Sequence, residues 1–69
     1  MKISARNVFQ GKVKQVKVGA VNAEVIVKAD NGTEIVSVIT KESAEKLKLA
    51  KGKEVYAVIK ASSVMIMTD

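Results

Sequence analysis

The chain has 69 residues, of which 12 are lysine or arginine and 7 are aspartate or glutamate, so its formal net charge is +5. Apolar residues make up 48% of the sequence and charged residues 28%, which is too hydrophobic for a disordered basic tail. Cysteine and histidine are absent, which excludes disulfides and thiolate or imidazole catalysis and argues against a zinc site. We therefore expect one domain over residues 1–69 that is not an enzyme and ligates no metal ion directly through side chains.

No stretch of the sequence reaches the ~18 consecutive apolar residues of a membrane span, and the N-terminus does not read as a secretory signal. We therefore expect a cytoplasmic protein that makes no contact with a membrane. A domain of this size is only marginally stable alone, and neither disulfides nor a bound metal is available to support it. Self-association is the favoured remedy, with a small monomeric barrel as the alternative.

A period of two residues predicts the first three strands. Valines alternate with lysines from Gly11 to Val18, which predicts a strand with one solvated face. Runs rich in β-branched residues from Asn22 to Ala29 and from Glu34 to Thr40 predict two more strands. The Asn31–Gly32 pair between these runs predicts a hairpin with a type I′ turn.

The pattern becomes helical after the third strand. Thr40 to Leu49 contains good helix formers, with Thr40 as the N-cap and Gly52 as the stop signal. Glu54 to Lys60 predicts a fourth strand and Val64 to Met67 a short fifth. Five strands with one short helix between the third and fourth are typical of an OB-type barrel, so we expect an all-β fold of that class.

A basic OB-type barrel is compatible with nucleic-acid binding through Lys12, Lys14 and Lys17. Single-strand binders also need aromatic side chains on which bases stack, and this chain offers only Phe9 and Tyr56. We therefore regard nucleic acid as an alternative partner, and the lysines as the solvated face of a strand.

Three segments at the ends of predicted elements carry hydrogen-bond donors suited to a small anion. One precedes the first strand, one opens the helix where backbone N–H groups are free, and one follows the fourth strand. Each also has a structural interpretation as a cap, a turn or an ion pair. The segments are Ser4–Asn7, Thr40–Ser43 and Lys60–Ser63.

The same segments carry a family resemblance. The opening Met1–Asn7, the Thr-x-x-Ser motif of Thr40 and Ser43, and the stretch Val58–Met65 resemble the molbindin family. These are small molybdate-binding proteins related to the transport-associated OB domain. The resemblance covers the chain from Met1 to Met67.

The resemblance implies a function, a ligand and an assembly. It implies a cytoplasmic homo-oligomer, a hexamer built as a trimer of dimers, that binds molybdate or tungstate between subunits for storage or homeostasis. A regulatory role toward a partner protein is a further hypothesis. The matching ligand residues are Ser4, Arg6, Thr40, Ser43, Lys60 and Ala61, with Ala5, Asn7 and Ser62 as further candidates.

Molbindins usually have a second class of site near the threefold axes, for which the turn at residues 19–22 is our candidate. An older family name mentions a pterin, but the sequence offers no aromatic sandwich for a pterin ring, so we expect none. Molybdate is a dianion that only accepts hydrogen bonds. A site made of donors alone therefore suits molybdate and disfavours phosphate, which carries a proton near pH 7.

Overall fold

A computed structural model of the protein describes Ser4 and residues 6–69. Four strands and one α-helix follow one another along the chain, and a short 3-10 turn at Ala61–Ser63 comes after the last strand. The elements are β1 (Asn7–Val18), β2 (Asn22–Ala29), β3 (Glu34–Thr40), α1 (Lys41–Lys46) and β4 (Glu54–Ile59). All strands are antiparallel neighbours in one sheet of order β3-β2-β1-β4.

Strand β1 is shared between two partners. Its first half pairs with β4, from Asn7 opposite Ile59 to Lys12 opposite Glu54, and its second half pairs with β2. The register shifts between Val13 and Gln15, and such a bulge bends a strand. The sheet therefore curls, and β2 and β4 touch across its interior.

Gly11 lies where β1 passes from one partner to the other. It is paired with Ala29 on β2 and with Val55 on β4. A Cβ atom at Gly11 would lie 2.2 Å from the carbonyl oxygen of Lys28 and 2.6 Å from the Cα of Ala29. Only glycine therefore permits this close approach of two backbones.

The interior is small and built from valine and alanine. Val13, Val25 and Val27 form the buried cluster, and none of them is more than 5% exposed. Half-buried side chains from the sheet and from the segment after α1 complete it, namely Val16, Ile39, Leu49, Val55 and Ala57. This alternation on β1 and β2 leaves the lysines of the same strands facing solvent.

The β2–β3 hairpin is confirmed, but the type I′ turn is wrong. A type I′ turn requires a positive φ at both Asn31 and Gly32, and only Gly32, at 92°, has one. Four residues separate the strands, because the Thr33 N–H bonds the Asn31 side-chain oxygen over 3.0 Å and the Ala29 N–H bonds the Thr33 carbonyl. An Asx turn replaces the two-residue turn.

The helix between β3 and β4 is shorter than predicted. It ends at Lys46, before the Gly52 stop signal. Lys48, with φ 53°, takes the left-handed position that glycine commonly occupies after a helix, and the Leu49 N–H returns to the Ala44 carbonyl. Gly52, with φ 91°, serves the turn into β4 instead.

The predicted fifth strand is wrong for this chain. Val64–Met67, hereafter the tail, follows the 3-10 turn without regular structure. Met65 and Met67 are each 92% exposed and Ile66 is 86% exposed, so the tail packs on little of its own chain. A strand needs a neighbouring backbone, and no strand of the described residues pairs with the tail. Within those residues the sheet stays open between β3 and β4.

Candidate functional site

The first group of donors lies where β1 begins and β4 ends. Asn7 pairs with Ile59 in an antiparallel register. Arg6 precedes Asn7 and Lys60 follows Ile59, so both lie at the same corner of the sheet. Ser4, Arg6 and Lys60 are all exposed. The structure therefore brings two of the three predicted segments together, and Ala5 lies outside the described residues. The first donor set comprises Ser4, Arg6, Asn7, Lys60, Ala61 and Ser62.

Asn7 differs from its neighbours because its side chain is already engaged. Its Nδ2 donates to the Ile59 carbonyl oxygen over 3.3 Å. This bond fastens the end of β4 to the start of β1, immediately before Lys60. The second N–H of this amide stays available as a donor, so Asn7 both fixes the end of β4 and remains a candidate ligand.

The 3-10 turn after Lys60 orients backbone donors. The Ser63 N–H bonds the Lys60 carbonyl over 2.9 Å, and the Val64 N–H bonds the Ala61 carbonyl over 3.2 Å. The first N–H groups of a helical turn have no partner inside the turn. The N–H groups of Ala61 and Ser62 occupy those positions, directly after Lys60 in the chain.

The second donor set, Thr40 and Ser43, joins the end of β3 to α1. The Ser43 N–H donates to Thr40 Oγ1 over 3.0 Å, so Thr40 is the N-cap, as predicted. The Thr40 hydroxyl donates in turn to Ser43 Oγ over 2.7 Å. One hydroxyl proton is therefore used inside the pair, and the other stays available for an external acceptor.

The predicted cradle of free N–H groups at the start of α1 is mostly occupied. The Lys41 N–H donates to the Val21 carbonyl over 2.7 Å, and the Ser43 N–H is bonded to Thr40. The helix also has only six residues. What this set offers a ligand is chiefly the hydroxyl group of Ser43.

Glu42 stands between the two residues of the second set, and its charge would repel an anion. Its Oε1 lies 3.0 Å from Lys46 Nζ, one turn further along the helix. This i,i+4 pair directs the carboxylate along the helix surface. The negative charge next to Ser43 is thereby neutralised locally.

The two donor sets lie at opposite ends of β1. The first set is beside Asn7, whereas Thr40 pairs with Asn22, next to the Val18 end of β1. The 12 residues of β1 have a contour length of roughly 36 Å at about 3.3 Å per residue. Even with the bend at the bulge, this exceeds the span over which hydrogen bonds reach one small anion. One chain does not bring the two sets together.

Lysines 12, 14 and 17 lie along the solvated face of β1. Lys14 Nζ is 2.7 Å from Glu34 Oε2 across the sheet. This hydrogen bond, together with the charge of Lys14, lowers the pKa of Glu34 from its ordinary value of 4.5. Part of the basic face is therefore neutralised within the chain.

The described residues contain neither a cluster of metal ligands nor a helix that could span a membrane. Within Ser4 and residues 6–69, no three histidine, cysteine, aspartate or glutamate side chains converge to hold a metal ion. The one α-helix of the same residues is too short and polar to span a membrane.

The sequence interpretation missed an apolar groove between β3 and β4. It has a volume of about 410 Å³ and opens where a closed barrel would have another strand. Inward-facing side chains from both edge strands line it, including Ile35, Ile39, Val55, Ala57 and Ile59. The signal in the sequence was that β3 and β4 each carry only one charged residue, the glutamate at their start, and that Val64–Met67 carries none, which leaves these edges little protected.

The fold defines a small OB-like class of domain, in which a curled antiparallel sheet carries its polar donors at strand ends. The TOBE domain family matches residues 3–66. The chain therefore belongs to the TOBE domain family, with the molbindins among its relatives.

Among curated proteins, the chain is 45% identical over 67 residues to Molybdenum-pterin-binding protein 1 of Clostridium pasteurianum, covering 97% of this chain and 98% of that protein. It is 55% identical over 69 residues to Molybdenum transport protein ModE of Azotobacter vinelandii. That match includes all of this chain but only 26% of ModE.

Solved structures show the same fold. MopII from Clostridium pasteurianum, in an apo form, superposes with a TM-score of 0.91 at 43% identity, covering 97% of this chain and 100% of MopII. The cytoplasmic molybdate-binding protein ModG, with molybdate bound, gives 0.89 at 49% identity, covering 94% of this chain and 46% of ModG.

Proposed function

We propose that this protein binds molybdate, with tungstate as an equivalent ligand, at sites formed between two copies of the chain. It stores the oxyanion in the cytoplasm, without catalysis, through one domain of residues 1–69. The names of the molybdenum-binding relatives and the molybdate-bound neighbour support the ligand. The observation that carries the shared site is the separation of the two donor sets by the length of β1.

The donor groups suit a tetrahedral dianion. Arg6 and Lys60 supply positive charge, while Ser43 and the backbone of Ala61 supply neutral donors. Arg6, Lys60 and the Ala61 N–H can only donate hydrogen bonds, and in this proposal the Ser43 hydroxyl donates as well. Phosphate that carries a proton needs an acceptor, so this set of groups disfavours it. Sulfate makes the same demand for donors as molybdate and is smaller, so the radius of the pocket must reject it.

The ligand in this proposal is the oxyanion alone, without a pterin. Phe9 pairs with Ala57 on one face of the sheet, whereas Tyr56 pairs with Gln10 on the other. Successive side chains of a strand point to opposite faces, so the two aromatic rings of the chain do not sandwich a planar ligand.

The tail and the groove explain how two copies dock. The tail is apolar and exposed, and the groove between β3 and β4 is apolar and open. A tail from a second copy adds a strand to these free edges and buries its side chains, each worth about 1.5–3 kcal/mol when fully buried. The exchange is mutual in a twofold dimer.

We further propose that dimers associate into the hexamer implied by the family resemblance. Outward-facing apolar residues remain for this second contact after the groove is filled. Val38 on β3 is 65% exposed and Val18 on β1 is 59% exposed, and neither lines the groove. Such side chains on the solvent side of a sheet favour a protein interface.

The nucleic-acid alternative is not favoured. Lys14 is paired with Glu34, and Lys17 lies opposite Glu24 in the register of β1 and β2. Lys12 lies opposite Glu54, so acidic neighbours offset part of the positive charge along the strand. The relatives Molybdenum transport protein ModE and Molybdenum-pterin-binding protein 1 are named for molybdenum.

Complementation between two half-site variants tests the shared site. Arg6→Ala disables the first set and Ser43→Ala disables the second, so each variant alone should lose most molybdate binding in calorimetry with excess sulfate. When the two are unfolded together and refolded as a mixture, each mixed dimer contains one intact site. Statistical mixing then restores about a quarter of all sites if the contact is twofold.

A site inside one chain predicts no restoration at all, and that result would overturn the shared site. A refolded mixture of Arg6→Ala with itself is the matched control. Absence of heat with the wild-type chain at micromolar molybdate would overturn the ligand assignment.

A further inference from the structure

The first donor set and the docking element meet at one hinge. Lys60 and Ala61 belong to the donor set, and the tail begins at Val64. Two backbone hydrogen bonds of the 3-10 turn connect the donor set to the tail. The Ser63 N–H donates to the Lys60 carbonyl, and the Val64 N–H donates to the Ala61 carbonyl. The backbone of two proposed ligand residues therefore sets the direction in which the tail leaves the sheet.

The other side of the hinge is fixed. Ile59 ends β4, is paired with Asn7 and accepts the hydrogen bond of the Asn7 side chain. All side chains from Lys60 to Ser63 are exposed, so no buried contact holds the turn in place. A change in the direction of the tail is therefore confined to residues 60–63.

We propose that the bound oxyanion is a latch on tail exchange: a tail leaves its partner's groove only after the ligand has left the hinge. This inference rests on the proposed function, since it requires a site shared between copies. The ligand contacts Lys60 and Ala61 of one chain and Ser43 of the other, so it holds the hinge in the docked direction. The oxyanion thus controls how fast copies exchange, in addition to being stored.

The size of the effect follows from linkage. A free chain has its two donor sets far apart and binds the anion weakly, whereas the docked pair binds it with the full set. The fraction of empty sites falls as 1 + [L]/Kd rises, so at about 100 times Kd exchange slows about 100-fold for each site that must empty. Sulfate, which is excluded from the site, leaves the rate unchanged.

Subunit exchange between isotopically distinct populations measures the latch. Unlabelled and ¹⁵N-labelled full chains are assembled separately and mixed, and native mass spectrometry follows the mixed species with sodium molybdate, with sodium sulfate or with neither. We expect exchange about 100-fold slower at about 100 times the measured Kd of molybdate. Amide hydrogen exchange of residues 64–67 should slow in parallel, because the tail is the segment that leaves.

Two variants assign the effect to the hinge. Lys60→Ala should show a much smaller slowing at the same molybdate concentration, whereas Lys51→Ala, an exposed lysine in the turn before β4, should behave as wild type. Calorimetry on the same samples separates the two ideas. Bound molybdate with an unchanged exchange rate overturns the latch alone, whereas no bound molybdate, or a monomer throughout, overturns the latch together with the proposed function.

Discussion

The β2–β3 hairpin and the β4 strand with its tail are the two arms that β1 joins, and they differ in how completely each is bonded. In the hairpin, β2 is paired on both sides, and the loop is closed by backbone and Asn31 side-chain bonds. In the other arm, β4 is paired on one side only and the tail is exposed. The turn and the inner strand of the hairpin are satisfied within one chain, whereas β3 and β4 both present a free edge and the tail pairs with no strand of the described residues.

The largest effect should come from a substitution at Gly11, where β1 is paired with both arms. Gly11→Ala forces the new Cβ into the Lys28 carbonyl, 2.2 Å away. We expect a loss of about 3 kcal/mol or more in the free energy of unfolding, measured by urea denaturation. Gly32→Ala is the control, because a Cβ there meets nothing within 4 Å and costs only left-handed strain of about 1 kcal/mol. Equal losses for the two variants would contradict the close approach of β1 and β2.

A smaller effect should come from a substitution that disrupts docking of the tail but leaves the hairpin folded. Ile66→Lys places a charge on the tail where an apolar side chain is proposed to fill a partner's groove. We expect the oligomer to dissociate in native mass spectrometry while the amides of β2 and β3 stay protected from hydrogen exchange. Thr68→Lys, two residues further along the exposed C-terminal segment, is the matched control. Wild-type assembly by Ile66→Lys at equal concentration would contradict the docking of the tail.

The smallest effect should be a change in the acid stability of the fold caused by an ion pair of the hairpin arm. Lys14 lowers the pKa of Glu34 below its ordinary value of 4.5, so the ion pair stabilises the fold above about pH 4.5 and this stabilisation is lost as pH falls through the folded pKa. In Glu34→Gln, the free energy of unfolding should therefore decrease less steeply than in the wild type as the pH is lowered below 4.5. Glu45→Gln on α1, outside this pair, is the comparison. Identical acid profiles for wild type and Glu34→Gln would show that the pair is without effect.

Local sequence was enough to predict the hairpin, because the alternation of β2 and β3 and the turn between them depend on neighbouring residues. The turn type was wrong, since the Asn31 side chain bonds the Thr33 N–H and lengthens the loop. The N-cap Thr40 was predicted for the same local reason.

The fifth strand was wrong because an apolar run does not say whether a neighbouring backbone is there to pair with it. The tail has the composition of a strand, yet its own chain offers it no partner among the described residues. The start of β1 was also placed too late, at Gly11, because Asn7–Gln10 lacks the valine–lysine alternation and is held as a strand by β4.

The candidate site was predictable in composition but not in arrangement. Antiparallel pairing of Asn7 with Ile59 brings Arg6 and Lys60 to one corner, a neighbourhood that requires knowledge of the register. Separation of that corner from Thr40 depends on the full length of β1. The Asn7 side-chain bond that fixes the end of β4 depends on the same register.

The length of β1 also has a consequence for dosage. Under the proposed shared site, an isolated copy holds only half a binding site at either end of β1. Where copies are too dilute to stay associated, the number of complete sites then rises with the square of the number of chains. Doubling expression would therefore give about four times the capacity for the anion.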